Sequence, residues 1–278
     1  MDLSYKYKAY KHAMDFESIY DYSDHYKVRG NPTVWRYMSF YKFESLLKNK
    51  ALFFAKPSTF VDPLEGSYSM WDIKEFMEDN EPLTSREYMR KIQEFSAVSC
   101  WHMNEYESAA MWDLYLDSND GVAIKTDYKS LINSIEDLRY RVFSAKVQYI
   151  DFHNEMTSRN IFDTLFYKRK SFSYENELRL LIIASRIDEK LLEVIFEAQG
   201  LPYYEWEERM DELEEQSYNF SHNTGNLVAC NLDTLIGEIY VSPKSSKAFV
   251  DEIRDMVKQY GLSHKKVVQS DLYKDYVY

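Results

Sequence analysis

The sequence predicts a single α+β domain built on a curved, mixed β-sheet that is split into two parts and flanked by helices. Two observations support this fold class. Apolar runs of strand length alternate along the chain with segments whose apolar residues recur at helical spacing, so helices and strands are mixed rather than segregated. The 278 residues contain no internal repeat and no low-complexity linker, which favours one domain with an insertion.

The order of elements follows from the spacing of the apolar residues. Phe43, Leu46 and Leu47 at helical spacing predict a helix, and the apolar run that follows predicts a strand ending before Pro57. The predicted strands cover residues 34–38, 51–55, 96–101, 121–126, about 140–150, 177–183, 226–232 and 236–241. The predicted helices cover residues 41–50, 85–95, 107–117, about 161–166 and 245–260.

Two segments depart from this pattern. Residues 1–30 carry six tyrosines without a helical or strand period, and we interpret them as an extension lying across the domain of residues 31–278. Residues 187–220 are acidic and place Tyr203, Trp206, Met210 and Leu213 on one helical face, which predicts an amphipathic helical insertion. Packing of that face on its own domain is the simpler interpretation, and docking of a protein partner is the alternative for either segment.

Charge and composition exclude some classes of protein. A net charge of −12 argues against strong non-specific binding of nucleic acid, which needs lysine and arginine to neutralise phosphates. A local arginine could still hold a nucleotide in an acidic protein. The 25 tyrosines are too many for a core alone, so part of this ring surface is expected in a groove or an interface.

The cysteines and histidines do not indicate a metal site. Cys100 and Cys230 lie in apolar stretches and are predicted to be buried thiols, and no C-x-x-C motif or Cys/His cluster is present. We therefore predict no structural metal. No window approaches the roughly 18 apolar residues of a spanning helix, and no signal peptide is apparent, so we expect a soluble, cytoplasmic protein without membrane contact.

The most informative stretch is Tyr174-Glu175-Asn176-Glu177-Leu178-Arg179, which places charges at the mouth of an otherwise apolar strand. Alternation along a strand would put Glu175, Glu177 and Arg179 on one face and Tyr174 and Leu178 on the other. Buried charges need partners, so this face carries either a structural ion pair or chemistry.

A series of short motifs in a fixed order carries a family resemblance. They are Arg36-Tyr37; Pro57, Phe60, Asp62, Pro63 and Glu65; Ser99-Cys100; Met111, Trp112 and Tyr115, followed by Gly121, Val122 and Ile124; and Tyr174, Glu175, Glu177 and Arg179. Over residues 34–183, and more weakly over 226–260, the chain resembles the bacterial family known as domain of unknown function 2971. Val61 replaces an asparagine common in that family, and the family implies no activity.

A second, looser resemblance implies an activity. Arg36 on the first strand, Ser99 on a middle strand and a Glu-x-Glu entering a late strand are similar to the arrangement of NAD-dependent ADP-ribosyltransferases. This implies NAD as the substrate of an effector of the toxin or phage-defence type. Glu177 would stabilise the oxocarbenium-like ribose, Glu175 would activate or orient the acceptor, and Arg36 would bind the pyrophosphate.

The resemblance also implies the remaining ligand-binding residues. Tyr37, Trp112 or Tyr115 would stack on the nicotinamide or adenine ring. The expected cleft is lined by Arg36, Tyr37, Ser99, Trp112, Glu175 and Glu177, and the full binding set also contains Tyr115, Asp62 and Arg179. Cys100 and Trp101 follow Ser99 where the arginine-modifying transferases have Ser-Thr-Ser.

Other interpretations of these residues stay open. Arg36 could pair with Glu177 or Glu65, Trp112 and Tyr115 could belong to the core, and Asp62 could cap a helix by accepting from backbone donors. A non-catalytic binding or defence-complex module is the main alternative function. A metal-dependent nuclease is a further alternative, although Arg179 stands where its Glu-x-Lys pattern needs a lysine.

Overall fold

The computed structural model describes residues 26–78, 90, 93–116, 119–137, 140, 142–157, 161–183 and 223–275. The first 25 residues of the tyrosine-rich extension, most of the predicted helix over 85–95 and the acidic insertion lie outside these residues. The proposed domain boundaries stay a prediction.

Eleven strands form within the described residues. They are β1 (Thr33–Ser39), β2 (Ala51–Ala55), β3 (Ser96–Met103), β4 (Gly121–Asp127), β5 (Val142–Lys146), β6 (Gln148–Ile150), β7 (Tyr167–Arg169), β8 (Glu177–Ile183), β9 (Gly225–Ala229), β10 (Glu238–Val241) and β11 (Lys266–Gln269).

Six α-helices lie between the described strands, and side-chain caps start four of them. Ser108, Asp127, Asn231 and Ser246 each accept a hydrogen bond from a backbone N–H three residues later. The helices are α1 (Phe40–Asn49), α2 (Met70–Glu78), α3 (Ala109–Tyr115), α4 (Tyr128–Asn133), α5 (Leu232–Leu235) and α6 (Lys247–Gln259). Short 3-10 helices cover Pro57–Thr59, Ile161–Phe166 and Lys170–Glu175.

Nine strands join one mixed sheet that divides at β3. Along one edge, β3 pairs with β8 from Ser96 to His102. Along its opposite edge, β3 has two partners. It pairs with β1 near His102 and with β2 at Val98. The sheet then continues from β1 through β4 and β10 to β11, and from β2 to β9, while β5 pairs with β8. The mixed sheet and its flanking helices agree with the predicted α+β class.

The sheet buries apolar side chains on both faces. On the core face, Leu178, Leu180 and Ile182 of β8 pack in the main cluster with apolar residues of α1, α4, α5 and α6. On the second face, Leu181 and Ile183 pack with the 161–167 region, and Trp35 and Tyr37 of β1 pack against α3. Alternation along each strand therefore decides the face on which every side chain lies.

Three local expectations need correction. The segment predicted as a helix around 161–166 is a 3-10 helix. The strand predicted over 140–150 is two strands, β5 and β6. Strand β5 pairs with β8, which begins at Glu177, so this pairing ends where Val147 N donates to the Glu177 carbonyl and the chain leaves the main sheet. The strand predicted over 226–232 ends at Ala229, and α5 begins at Leu232. Helices α2, α4 and α5 and strands β7 and β11 were not predicted.

The two cysteines are free thiols. Cys230 is buried as expected, whereas Cys100 on β3 is half-buried. No helix in the described part of the chain is long and apolar enough to cross a membrane.

Candidate functional site: a buried charge cluster on the second face

Glu177 and Arg179 lie on the second face of β8 and bind each other. Arg179 Nε donates to Glu177 Oε1 over 2.6 Å, and its Nη1 donates to the Leu165 carbonyl over 2.7 Å. Its Nη2 also donates to the carboxylate of Glu65. Arg179 is 1% exposed, so these acceptors replace water around a fully buried guanidinium.

Lys168 of β7 joins the carboxylates into one group. Its Nζ lies 2.7 Å from Glu175 Oε2 and 3.3 Å from both Glu177 Oε2 and Glu65 Oε1. Three carboxylates thus share two cations, which leaves a formal charge of −1. We call this group the Lys168 cluster, and its members are Glu65, Lys168, Glu175, Glu177 and Arg179.

The turn before β8 brings Glu175 to the cluster. Glu175 ends a 3-10 helix, and Asn176 follows in the left-handed conformation (φ 39°, ψ 61°), which asparagine tolerates better than most residues. Glu175 is therefore not part of the strand, and strand alternation was the wrong reason for grouping it with Glu177. The two carboxylates nevertheless meet at Lys168. Tyr174, expected on the opposite face, is 48% exposed.

The two glutamates of this motif differ in pKa. Burial alone would raise the pKa of Glu177, but Arg179 and Lys168 outweigh it and lower that pKa to about 2. Burial dominates for Glu175, so its pKa is raised, although Lys168 opposes the rise. Glu177 is thus held as a carboxylate, whereas Glu175 takes up a proton more readily than Glu177 does.

The aromatic residues expected at the site lie on the same face. The rings of Tyr37 and Trp112 meet edge to face at 4.9 Å, and both side chains are buried. Tyr115, at the end of α3, is 44% exposed and donates from its hydroxyl to Glu175 Oε2 over 3.3 Å. Tyr115 therefore links the aromatic group to the charge cluster.

Arg36 and Ser99 lie on the opposite face of the sheet from Glu177. Trp35 pairs with His102 and His102 pairs with Glu177, so these three share the second face, and Arg36, next to Trp35, projects to the core face. The residues expected to line one cleft therefore lie on two opposite faces of the sheet.

Arg36 occupies the fork between β1 and β2. Its Nη1 donates to Ser99 Oγ over 2.5 Å, its Nη2 donates to the Phe53 carbonyl over 2.7 Å, and its guanidinium lies 5.7 Å from the Trp101 ring. Neither Glu177 nor Glu65 is its partner. Arg36 therefore connects β1 to β2 and β3 at the point where the sheet branches.

Asp62 binds an arginine beside the cluster. Arg169 donates to its two oxygens over 2.6 and 2.7 Å, and the Leu64 N–H donates to Oδ1 over 3.1 Å. Asp62 therefore accepts from a backbone N–H as the capping interpretation expected, but residues 61–67 form a turn and no helix starts there. These contacts hold the loop that delivers Glu65.

Sequence reasoning missed Lys168 and considered Glu65 only as a possible partner of Arg36. A lysine directly after the apolar run that ends in Phe166 and Tyr167 was the available signal, because a charge in such a run needs a buried partner. His102 was also missed. Its Nδ1 lies 2.5 Å from the Glu175 carbonyl oxygen, and the Tyr37 ring lies 6.3 Å away.

A pocket lies on the far side of α3, between Trp112, Asn119 and Lys244. Its volume is about 190 Å³, below the roughly 300–1,000 Å³ of ordinary ligand sites. Within the described residues, no group of three or more His, Cys, Asp or Glu side chains is arranged to hold a metal ion; the three carboxylates of the Lys168 cluster surround an ammonium.

The fold and the cluster define an α+β protein with a buried, mixed-charge group on one face of its sheet. A family model described as "Protein of unknown function (DUF2971)" matches residues 111–180, which run from α3 into β8 and contain Lys168, Glu175, Glu177 and Arg179. The predicted resemblance to that family is supported over this segment. No curated protein and no solved structure matches the chain. The resemblance to ADP-ribosyltransferases stays a prediction.

Proposed function

We propose that this protein is an NAD-consuming, ADP-ribosyltransferase-like effector of the toxin or phage-defence type. It cleaves the nicotinamide–ribose bond and passes ADP-ribose to an acceptor or to water. The observation that carries the proposal is the state of Glu175, a carboxyl of raised pKa that joins the Lys168 cluster to Tyr115. The finer fold assignment, a transferase-like split sheet, belongs to the same proposal.

The chemistry requires negative charge near the anomeric carbon. Loss of nicotinamide gives that carbon oxocarbenium character, and a fixed carboxylate stabilises the developing positive charge. The formal charge of −1 on the Lys168 cluster has the required sign. Within the described residues, Glu175 Oε1 makes no hydrogen bond, since Lys168 and Tyr115 both contact Oε2.

Glu177 has a positioning role in this proposal. Its Oε1 accepts from Arg179 and its Oε2 accepts from both Lys168 and Arg179, and the residue is 3% exposed. It therefore orients the lysine that holds Glu175. The direct contact between Glu177 and the ribose expected from the resemblance would require both of its oxygens to change partners.

Tyr115 is the ring against which the nicotinamide or adenine ring would lie in this proposal, because it is exposed whereas Tyr37 and Trp112 are buried. Arg36 has no role there because it projects from the other face of the sheet. The pyrophosphate contact expected of Arg36 is accordingly dropped from the proposal.

The test is release of nicotinamide from NAD by the purified full chain. We expect Glu175→Gln to lower the rate by about 100-fold or more, the usual scale for a group that acts in proton transfer. Glu44→Gln is the matched control, since Glu44 is an exposed carboxylate on α1. Absence of nicotinamide release by the unaltered protein would overturn the proposal, and a chelator-sensitive activity on nucleic acid without nicotinamide release would favour the nuclease alternative.

The second candidate is a non-catalytic binding or defence-complex module. One observation favours it, namely that Glu65, Lys168, Glu177 and Arg179 satisfy one another as a structural ion network would. If Glu175→Gln preserves the biological effect while deletion of residues 1–30 abolishes it, this second candidate is the correct one.

A further inference from the structure

The imidazole of His102 has one nitrogen in a fixed hydrogen bond and one without a partner. His102 lies on β3 on the second face, is 8% exposed, and is paired across the sheet with Trp35 and Glu177. Its Nδ1 is bonded to the Glu175 carbonyl oxygen. Its Nε2 is sealed from solvent and has no hydrogen-bond partner among the described residues.

The bond to Glu175 fixes the tautomer. A carbonyl oxygen only accepts, so Nδ1 must carry the proton in this bond. Burial lowers the pKa of His102, opposed in part by that bond, which keeps the ring neutral near pH 7. Nε2 is consequently a bare acceptor.

A buried acceptor without a donor is uncommon in a folded protein, and its partner is normally a water, an ion or a group of a bound ligand. The polar neighbours of His102 do not share this property. Glu177 and Arg179 have all their charged atoms paired, and Trp35 Nε1 donates to the Asn104 carbonyl over 2.8 Å. Ser96 Oγ, on the same face of β3, also has no partner among the described residues, but it lies six residues away near the other end of the strand.

We propose that His102 Nε2 accepts a hydrogen bond from the N–H of a carboxamide carried by an aromatic ligand ring, which lies on the second face beside Tyr115. The choice of a carboxamide rests on the proposed function, because nicotinamide is the leaving group. The ligand enters past Tyr115, which is half-exposed and is held at the cluster by one 3.3 Å bond to Glu175.

This arrangement connects recognition of the leaving group to the reactive carboxyl. The same imidazole that binds the carboxamide donates to the backbone of Glu175, so the ligand ring and the Glu175 side chain are positioned by one residue. His102 is a binding and positioning residue in this scheme, and it transfers no proton.

The first measurement is nitrogen NMR of the histidines in the full chain, with nicotinamide as the probe. We expect His102 to show a protonated Nδ1 and a bare Nε2 at pH 7, and the Nε2 resonance to move when nicotinamide binds. His153, which is exposed, serves as the internal control and should not move. A protonated Nε2 in the free protein, or an Nε2 signal unmoved at saturating nicotinamide, would overturn the proposal.

The second measurement uses a pair of variants. His102→Asn can keep a donor for the Glu175 carbonyl but has no acceptor at the Nε2 position, and it should weaken nicotinamide binding by roughly fivefold to tenfold, the value of one net hydrogen bond. His153→Asn should leave binding unchanged. Equal nicotinamide affinity of His102→Asn and the unaltered protein would contradict the role of Nε2.

The two proposals fail in different ways. If NAD is cleaved but His102→Asn alters neither nicotinamide binding nor KM, the inference about His102 is wrong and the proposed function stands. If NAD is not cleaved but nicotinamide shifts Nε2, the carboxamide site stands and the proposed reaction is wrong.

Discussion

The two faces of the sheet hold charge in different ways. On the core face, the Arg36 guanidinium donates to a hydroxyl and a backbone carbonyl, and no carboxylate partner for it lies among the described residues. On the second face, Lys168 and Arg179 are shared by three carboxylates that are all nearly inaccessible to water.

This difference determines what each charged residue needs. Arg36 is half-buried, and burial lowers the pKa of its guanidinium, whose acceptors are one hydroxyl and one backbone carbonyl. The side chains of the Lys168 cluster are nearly inaccessible to water, so each of their charges is compensated mainly by the others. Removal of a cluster member should therefore cost more than removal of Arg36, and only the cluster should respond strongly to pH.

The largest effect is expected from Arg179→Leu. This change leaves Glu65 and Glu177 buried without their main cation, and breaking such a group costs about 3–5 kcal/mol of unfolding free energy. The measurement is urea unfolding at pH 7. The control is Arg254→Leu, which removes an exposed pair with Asp251 and should cost about 0–1 kcal/mol. Equal losses for the two variants would show that the cluster is not the coupled unit described.

A pH effect of similar size is expected from Glu177. Its folded pKa is lowered from 4.5 to about 2, so the stability it contributes is present above about pH 4.5 and is lost as the pH falls toward 2. A lowering of this size corresponds to roughly 3 kcal/mol. The advantage of the unaltered protein over Glu177→Gln should shrink across that range. An advantage that does not vary with pH would contradict the lowered pKa.

A smaller loss is expected from Arg36→Leu. The variant leaves the Phe53 carbonyl and Ser99 Oγ without their donor but leaves no unpaired buried charge, and the cost should be roughly 1–3 kcal/mol. Urea unfolding alongside Arg179→Leu tests the comparison directly. If Arg36→Leu lowers the free energy of unfolding more than Arg179→Leu does, the charge of Arg36 stabilises the fork between β1 and β2 more than its two neutral acceptors indicate.

The smallest effect is expected from Ser246→Ala. Ser246 Oγ accepts from the Phe249 N–H over 3.2 Å and begins α6 on the core face. Loss of a helix cap costs about 1 kcal/mol, and it should not alter nicotinamide release. Thermal unfolding measures the first quantity, and a fall in the rate of release would show that the two faces are coupled.

Most of the strands could be predicted from the sequence because their apolar runs are long and end at prolines, glycines or charges. The grouping of site residues was predicted less well. Arg36 and Tyr37 are neighbours in one motif, yet alternation along β1 sends them to opposite faces, and the sequence alone does not show which face meets Glu177. Glu175 reaches the cluster through the left-handed turn at Asn176 rather than through the strand.

The partners of Glu177 could not be predicted because they are distant in sequence. Glu65 comes from a loop and Lys168 from a short strand outside the main sheet, and both reach the site only through tertiary packing. The tautomer of His102 likewise depends on a backbone carbonyl 73 residues away.

The most direct test of a site confined to the second face is the rate of nicotinamide release by Glu175→Gln and by Arg36→Gln, each assayed under conditions where it is folded. We expect Glu175→Gln to lose about 100-fold or more in rate and Arg36→Gln to keep a rate close to that of the unaltered protein. Loss of activity in Arg36→Gln together with full activity in Glu175→Gln would contradict the assignment.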